Sequence, residues 1–381
     1  MNKLRNILFI GILLVLLTPM IEYEFQLVKT GPVIDLIGAI VPAEDTVLAM
    51  NGWLSGNFQN KKEKYLNENF GFRTLGVRIN NQIAFSLFSK TKAHGVEVGR
   101  NDYLYEKEYI EAYLGQNFVG DSAINERLRK LKFLQDTLSK LGKSIILVYA
   151  AGKGSYYPEF FPEKYDGIKK GRTNYETYIK KTKELGINHI DFHKYFNDNK
   201  TTSPYPLYPQ HGIHWSTYGG CLAGDSIIKF IEKKRNIDIP EFFWKEVKVE
   251  TERDMDYDLG AGMNLLIQFK RGPMGYPVII LGSDKDKKKP SLLIVSDSFY
   301  FALLQQGFKK CFSNHQFWYY NERVYSEEVS DEEYKETSKM DLSKEINNHE
   351  VFIIMASEHN LPKLGWGYIE RMYDHFTTGK N

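Results

Sequence analysis

The chain has 381 residues and a formal net charge of only +2, because 50 Lys and Arg residues nearly balance 48 Asp and Glu residues. This length suits one large domain or two smaller ones, and the balanced charge gives no indication of a nucleic-acid-binding surface. Two cysteines, Cys221 and Cys311, are too few for a disulfide framework or a zinc site, and we expect two buried free thiols.

The first 25 residues have the layout of a membrane-targeting segment. Lys3 and Arg5 precede an uncharged apolar run over residues 7–21, which places the basic end inside the cell. No small-x-small cleavage site follows this run. The sequence therefore predicts an uncleaved signal anchor over residues 1–25, with the rest of the chain outside the cytoplasmic membrane. Chemistry that depends on ATP or NAD is not expected there.

The segment after the anchor is mixed in composition. Residues 26–52 are predicted to form a stalk, and residues 53–381 are predicted to form the functional domain. This domain begins with an amphipathic helical pattern over residues 53–87, in which aromatic side chains alternate with Lys, Glu and Asn. A short β-like piece follows over residues 96–105.

Strands and helices then alternate, a pattern typical of a parallel sheet that is covered by helices on both faces. The helices are predicted over residues 124–141, 174–185, 217–232 and 368–376. The strands are predicted over residues 144–150, 187–192, 291–297 and 351–356. An insert over residues 239–282 is predicted to be rich in β-structure, because apolar and polar residues alternate in it.

Two short segments carry the candidate chemistry. One contains His214 and directly precedes a predicted helix; the other contains Ser298 and directly follows a predicted strand. Open α/β sheets place their active sites at the carboxyl ends of the strands. A serine hydroxyl also needs a neighbouring base, most often an imidazole. We therefore predict an acyl-transfer site with Ser298 as the nucleophile and His214 as the base.

Several further segments fall in an order that matches one protein family. They are residues 69–73 (Asn-Phe-Gly-Phe-Arg), 99–105, 150–162 with its Tyr-Pro-Glu, 214–219 (His-Trp-Ser-Thr-Tyr-Gly), 256–260 and 296–299 (Ser-Asp-Ser-Phe). In this order the chain resembles the SGNH-hydrolase-like domain of the alginate O-acetyltransferase family, of the AlgJ and AlgX type. The histidine segment precedes the serine segment, as in that circularly permuted family and unlike ordinary SGNH hydrolases.

The resemblance implies a three-layer α/β/α fold. It also implies a protein that O-acetylates an exopolysaccharide or another cell-surface glycan on the periplasmic side of the cell inner membrane. It implies a membrane-bound O-acyltransferase partner that supplies acetyl groups, no metal and no diffusible cofactor. His189, His193 and His211 fall on different predicted elements without a matching carboxylate pattern, so no metal site is predicted.

One residue departs from the family pattern. Gly212 stands where the family motif Asp-x-His-Trp has the aspartate that orients the imidazole, and glycine cannot hold the tautomer. One alternative is a carboxylate from elsewhere, with Asp191, Asp297 and Glu358 as candidates near predicted strand ends. A second is a backbone carbonyl or His211. A third is a protein that has lost catalysis and keeps glycan or partner binding.

Two more residues are candidates for lining the cleft. Lys153 follows a predicted strand and is expected either to line the cleft or to be solvated on a loop, and Trp215 is expected to be a packing residue that fixes the histidine loop. The same serine and histidine would also serve a carbohydrate acetylesterase with water as the acceptor. A non-catalytic glycan-binding or scaffold subunit is the alternative that Gly212 keeps open.

Overall fold

The computed structural model describes residues 2–25, 35–38, 43–325 and 334–379. The described chain falls into two compact units. The first unit contains the chain up to His94 together with Gly260–Phe269, and the second contains Gly95–Leu259 and the chain from Lys270 onward. Much of the predicted stalk, residues 26–34 and 39–42, lies outside the described residues.

The first unit is helical. Its helices are α1 (Asn2–Phe25), α2 (Met50–Leu54), α3 (Asn57–Asn69) and α4 (Arg73–Phe88). Helix α1 is long and apolar enough to cross a membrane, by length and composition alone. Helix α4 holds the segment Gly260–Phe269 through buried side chains, because Arg78 donates to the carbonyl of Leu265 and Asn81 to the carbonyl of Met263, each at 3.0 Å.

The second unit contains the remaining elements of the described chain, apart from the end of α11. The helices are α5 (Lys107–Leu114), α6 (Asp121–Lys140), α7 (Lys153–Tyr156), α8 (Asn174–Glu184), α9 (Phe192–Asp198), α10 (Thr217–Arg235), α11 (Asp258–Gly262), α12 (Phe301–Gln305), α13 (Leu342–Asn348) and α14 (Tyr368–Thr378). The strands are β1 (Val96–Val98), β2 (Leu104–Glu106), β3 (Ser144–Ala150), β4 (His189–Asp191), β5 (Phe242–Thr251), β6 (Pro273–Leu281), β7 (Leu292–Ser296), β8 (His315–Tyr319), β9 (Arg323–Tyr325), β10 (Lys335–Glu336) and β11 (Val351–Ser357).

A mixed sheet with the strand order β10-β9-β8-β7-β11-β3-β4 forms the centre of the second unit. Strands β8, β7, β11, β3 and β4 are parallel, and β9 and β10 add an antiparallel edge. Every residue of β7 and β11 is buried, since helices cover both faces of a parallel sheet. The prediction of an α/β fold with a mostly parallel sheet is confirmed.

The long helix α6 illustrates why the sequence folds in this way. Its buried residues Leu128, Leu131, Leu134 and Leu138 recur every three or four positions and share one apolar cluster with sheet residues such as Phe352. This spacing places the four leucines on one face of the helix, which packs on the sheet while the charged residues face outward. The predicted helix over residues 124–141 is therefore confirmed.

The predicted β-rich insert contains the antiparallel pair of β5 and β6, in which Val247 lies opposite Pro277. Between these two strands the chain passes through a 3₁₀ turn, Asp254–Tyr257, and then α11. Strand β4 is shorter than predicted because Phe192 already begins α9, and the Asp191 carboxylate caps this helix by accepting the N–H of Lys194 at 3.0 Å. Cys221 and Cys311 are buried and free, as expected.

Candidate active site

Ser298 lies at the carboxyl end of β7, at the start of a 3₁₀ turn. The turn is fixed by the buried Asp297 carboxylate. Its Oδ1 atom accepts the N–H of Phe299 at 3.2 Å, and its Oδ2 atom accepts the N–H and the hydroxyl of Ser357 at 2.8 and 2.6 Å. Since Ser357 ends the neighbouring strand β11, the serine turn is tied to the carboxyl edge of the sheet.

His214 lies in the loop before α10. The next residue, Trp215, is completely buried, and its indole N–H donates to the carbonyl of Phe299 at 3.1 Å. Ser216 caps α10 by accepting the N–H of Gly219 at 2.9 Å. These contacts hold the histidine loop against the serine turn, and His214 Nε2 lies 2.8 Å from the Oγ atom of Ser298. Trp215 thus packs between the histidine loop and the serine turn.

Asp258 completes the hydrogen-bonded chain. Its Oδ2 atom lies 2.7 Å from Nδ1 of His214, and its Oδ1 atom accepts the N–H of Ile213 at 3.0 Å. The second bond fixes the direction of the carboxylate. An Nδ1–H that donates to Asp258 leaves Nε2 free to accept the proton of Ser298, which is the arrangement of a Ser-His-Asp triad.

The three carboxylates that the sequence offered as orienting acids have other partners, and this corrects the expectation. Asp191 caps α9 and accepts the hydroxyl of Tyr175 at 3.0 Å. Glu358 accepts the hydroxyl of Ser155 at 2.5 Å. Asp297 holds the serine turn, as described above. All three follow or end sheet strands, whereas the carboxylate at His214 comes from the insert, a segment that sequence reasoning did not connect with the histidine.

His211, the other group considered for orienting the ring, is paired with Glu252. Its Nδ1 atom lies 2.5 Å from Oε2 of Glu252, and both side chains are 1% exposed. The other oxygen of Glu252 accepts the N–H of Gln210 at 2.8 Å. This buried pair therefore fixes the loop that leads to His214.

Lys153 also fixes this loop. Its ammonium group donates to the carbonyls of Gln210 and Gly212, each at 2.7 Å, and its side chain is completely buried. Burial lowers the pKa of Lys153 to about 7, while the charges of Asp258 and Glu252 act in the opposite direction. Lys153 is thus a buried tether for the histidine loop and neither a solvated loop residue nor part of an open cleft wall.

The close packing around Gly212 leaves no room at this position for the aspartate of the family motif. A Cβ atom on Gly212 would lie 2.6 Å from the carbonyl oxygen of Met255 and 2.9 Å from the carbonyl carbon of Asp256. The segment that delivers Asp258 therefore occupies the space that a side chain at position 212 needs. The sequence carries a signal for this segment, because residues 256–260 belong to the family resemblance.

The electrostatic environment favours a basic imidazole. Burial lowers the pKa of His214, but the hydrogen bond and the charge of Asp258 outweigh it, so the pKa is raised above the ordinary value. Glu106, at the end of β2, also acts on His214 by its charge. Burial raises the pKa of Glu106 to about 7. Among the described residues, no group of three or more His, Cys, Asp or Glu side chains is arranged to hold a metal ion.

Comparison with known proteins supports the predicted resemblance. Residues 96–259, less than half of the chain, match the family described as "SGNH hydrolase-like domain, acetyltransferase AlgX". The predicted resemblance and the SGNH-hydrolase-like fold class are therefore confirmed. The matched residues include Lys153, His214 and Asp258, and they end before Ser298. No curated protein matches the sequence.

Several solved structures match the chain at low identity and with TM-scores below 0.5. The O-acetyltransferase domain of Pseudomonas putida AlgJ is 13% identical with a TM-score of 0.48, covering 74% of this chain and 99% of that one. Pseudomonas aeruginosa AlgX is 15% identical with a TM-score of 0.48, covering 72% and 67%. Bacillus cereus PatB1 is 13% identical with a TM-score of 0.42, covering 70% and 96%. Likenesses this distant carry no information about the activity of this chain.

Proposed function

We propose that this chain is an O-acetyltransferase that modifies an exopolysaccharide or another cell-surface glycan through Ser298, His214 and Asp258. The observation that carries the proposal is the continuous hydrogen-bonded chain from Asp258 through His214 to Ser298, with distances of 2.7 and 2.8 Å. His214 is 12% exposed and Asp258 28% exposed, so the triad is largely enclosed but open to a substrate. The acetyltransferase description of the matching family supports the choice of acyl group.

The reaction follows from the positions of the three side chains. Ser298 Oγ attacks the carbonyl carbon of an acetyl donor, and His214 Nε2 takes the serine proton. The imidazolium, stabilised by Asp258, returns this proton to the leaving group, which leaves an acetyl-serine. A sugar hydroxyl then attacks the acetyl-serine while His214 takes the hydroxyl proton. The same proton restores the Ser298 hydroxyl as the acetylated sugar leaves.

The negative charge on the attacked carbonyl oxygen needs a preorganised donor. The N–H of Phe299 already donates to Asp297. We therefore assign the backbone N–H of Ser298, at the start of the 3₁₀ turn, to the oxyanion. This assignment gives Asp297 a positioning role, because its hydrogen bonds fix the conformation of the turn.

The alternative of a non-catalytic scaffold depended on Gly212. Asp258 supplies a carboxylate to His214 from another segment, so the glycine no longer argues against catalysis. An acetylesterase would use the same three residues with water as the acceptor, and product analysis with and without a glycan acceptor separates the two activities.

The cellular setting belongs to the same proposal. Helix α1 is long and apolar enough to span a membrane, and its first turns carry the basic residues Lys3 and Arg5. We place the catalytic unit on the outer side of the cytoplasmic membrane, anchored by α1, where no acetyl-coenzyme A is available. A membrane-bound O-acyltransferase partner would then supply the acetyl group from the cytoplasm.

Acetyl release from 4-nitrophenyl acetate by the full-length protein in detergent tests the catalytic part. Ser298→Ala and His214→Ala are expected to abolish turnover, whereas the exposed controls Ser313→Ala and His94→Ala are expected to retain it. Acetylated product should appear when a glycan acceptor is added. Wild-type turnover no faster than that of the two site variants would contradict the proposal.

A further inference from the structure

The serine turn has a second neighbour at the carboxyl edge of the sheet. Strand β8 lies beside β7, and Tyr320 directly follows it. The N–H of Tyr320 donates to the carbonyl of Ser296 at 2.9 Å. Tyr320 is thus joined by a backbone hydrogen bond to the end of the strand that precedes Ser298.

The backbone around Tyr320 is strained. Tyr320 and Trp366 have φ values of +51° and +44°, in the left-handed region that bulky side chains rarely adopt. The side-chain amide of Asn321 donates to the carbonyl of Trp366 at 3.0 Å and so holds the two strained segments together. Such strain persists only where the surroundings enforce it, and it is concentrated at functional sites.

These two segments border a cavity of about 450 Å³. Ordinary ligand pockets have volumes of about 300–1,000 Å³, so this cavity is large enough to hold a small ligand. We name it the Tyr320–Trp366 cavity after its two aromatic residues. Their rings form a corner, with centroids 5.2 Å apart and planes at 75°. The cavity therefore presents two aromatic side chains beside the turn that carries the candidate nucleophile.

The charges in the cavity are largely balanced. The Arg127 guanidinium donates to Glu370 at 3.3 Å, to the Tyr178 hydroxyl at 2.9 Å and to the Pro362 carbonyl at 2.9 Å. Exposed Lys363 and Glu322 add one charge of each sign at the border. Aromatic walls with polar groups of both signs suit a neutral or weakly charged ligand with many hydroxyl groups better than a phosphate.

We propose that the Tyr320–Trp366 cavity binds a pyranose ring of the acceptor glycan, next to the ring whose hydroxyl reaches Ser298. The flat C–H face of a pyranose packs against an aromatic ring, and its equatorial hydroxyls reach Lys363 and Glu322. The identity of the ligand as an acceptor rests on the proposed function. Binding itself does not require catalysis, so the two can be tested separately.

The test is a calorimetric titration of the full-length Ser298→Ala protein in detergent with a mannuronate hexasaccharide and with cellohexaose. These two probes distinguish an acidic from a neutral glycan. Trp366→Ala is expected to weaken binding of the preferred sugar by about tenfold or more, and Trp366→Phe to restore most of it. Trp53→Ala removes a half-exposed tryptophan from the other unit and is expected to leave binding unchanged.

Circular dichroism and thermal melting establish whether each variant is folded. If Trp366→Ala does not fold, the exposed pair Lys363→Ala and Glu322→Ala takes its place, with the same expected loss of affinity. The proposal is overturned if neither oligosaccharide binds, or if binding survives these substitutions in folded protein. The two proposals can also fail separately. If sugar binding depends on Trp366 but acetyl release does not depend on Ser298, the cavity is a sugar-binding site and the proposed catalytic triad is refuted.

Discussion

Asp258→Asn is the substitution that separates the proposed triad from a simple Ser-His pair. Asp258 Oδ1 accepts the N–H of Ile213 and Oδ2 faces Nδ1 of His214. In asparagine, the oxygen keeps the bond to Ile213 because only an acceptor fits there. The amide nitrogen then faces Nδ1, so the imidazole must carry its proton on Nε2. This tautomer donates to Ser298 and cannot accept the serine proton.

The expected loss is large in activity and small in stability. Holding the wrong tautomer in a triad costs about 10⁴ in kcat, which corresponds to about 5 kcal/mol of transition-state stabilisation. The folded state loses one charge-assisted hydrogen bond at a partly exposed carboxylate, which is worth about 1–2 kcal/mol. The variant should therefore fold and bind substrate normally while acetyl transfer nearly disappears.

The assay is kcat/KM for 4-nitrophenyl acetate, measured with the full-length protein in detergent from about pH 5 to 9. Only neutral His214 acts as a base, so wild-type activity falls as the pH drops through the pKa of this residue. Asp258 raises that pKa, so the midpoint should lie above the ordinary value of about 6.5. In Asp258→Asn, the residual activity should persist to lower pH.

A nearby aspartate provides the control for this substitution. Asp254 is exposed and has a φ of +52°, a conformation that asparagine also tolerates, so Asp254→Asn should behave as wild type. Activity of Asp258→Asn within about tenfold of wild type, or an unchanged midpoint on the acid side, would refute the tautomer argument.

Two further substitutions test the residues that position the triad. Lys153→Met leaves the carbonyls of Gln210 and Gly212 without their donor, and we expect it to cost about 2–4 kcal/mol in the free energy of unfolding and to lower kcat. Denaturant titration and acetyl release measure the two effects. The exposed Lys229→Met is the control, and equal stability of the two variants would contradict the tether. In Asp297→Asn, the amide oxygen still accepts hydrogen bonds from Ser357 and Asn360, but the amide N–H faces the backbone N–H of Phe299. We therefore expect a loss of about 1–3 kcal/mol in the free energy of unfolding. This variant should shift the acid midpoint less than Asp258→Asn does, with Asp286→Asn as the control; a larger shift would assign the orienting role to Asp297.

The central strands of the sheet can be predicted from the sequence, and the strands at one edge cannot. Strands β7 and β11 are continuous apolar runs, because both of their faces are buried, and this pattern is visible without a structure. Strand β8 begins with His315 and Gln316, which interrupt its apolar run, although Phe317 and Trp318 are completely buried. The antiparallel β9 and β10 are too short for a periodic pattern.

In the site, local motifs were visible and long-range contacts were not. Ser298 and His214 follow from their positions beside predicted elements. The position of Asp258 depends on how the insert folds back onto the histidine loop, which no local pattern in the sequence reveals. The burial of Lys153 was missed for a related reason, since its partners are backbone carbonyls, which any residue could provide.

Gly212 and Asp258 form a linked pair, and exchanging them provides a last test. If the position of the carboxylate in the sequence were free to change, the double variant Gly212→Asp/Asp258→Gly would restore the family motif and recover activity. The structure predicts the opposite. A Cβ atom at position 212 would meet the backbone of Met255 and Asp256, and removing the side chain of Asp258 does not move that backbone.

The double variant should therefore be no more active than Asp258→Gly alone, and less stable by about 1–3 kcal/mol because of the enforced overlap. Acetyl release and thermal melting of the two proteins provide the comparison, with Gly76→Ala as a control glycine that has open space around its Cβ position. If the activity of the double variant exceeded that of Asp258→Gly by more than about tenfold, the backbone of residues 255–258 would have to move readily. The glycine would then be an incidental difference from the family and not the condition that lets Asp258 reach His214.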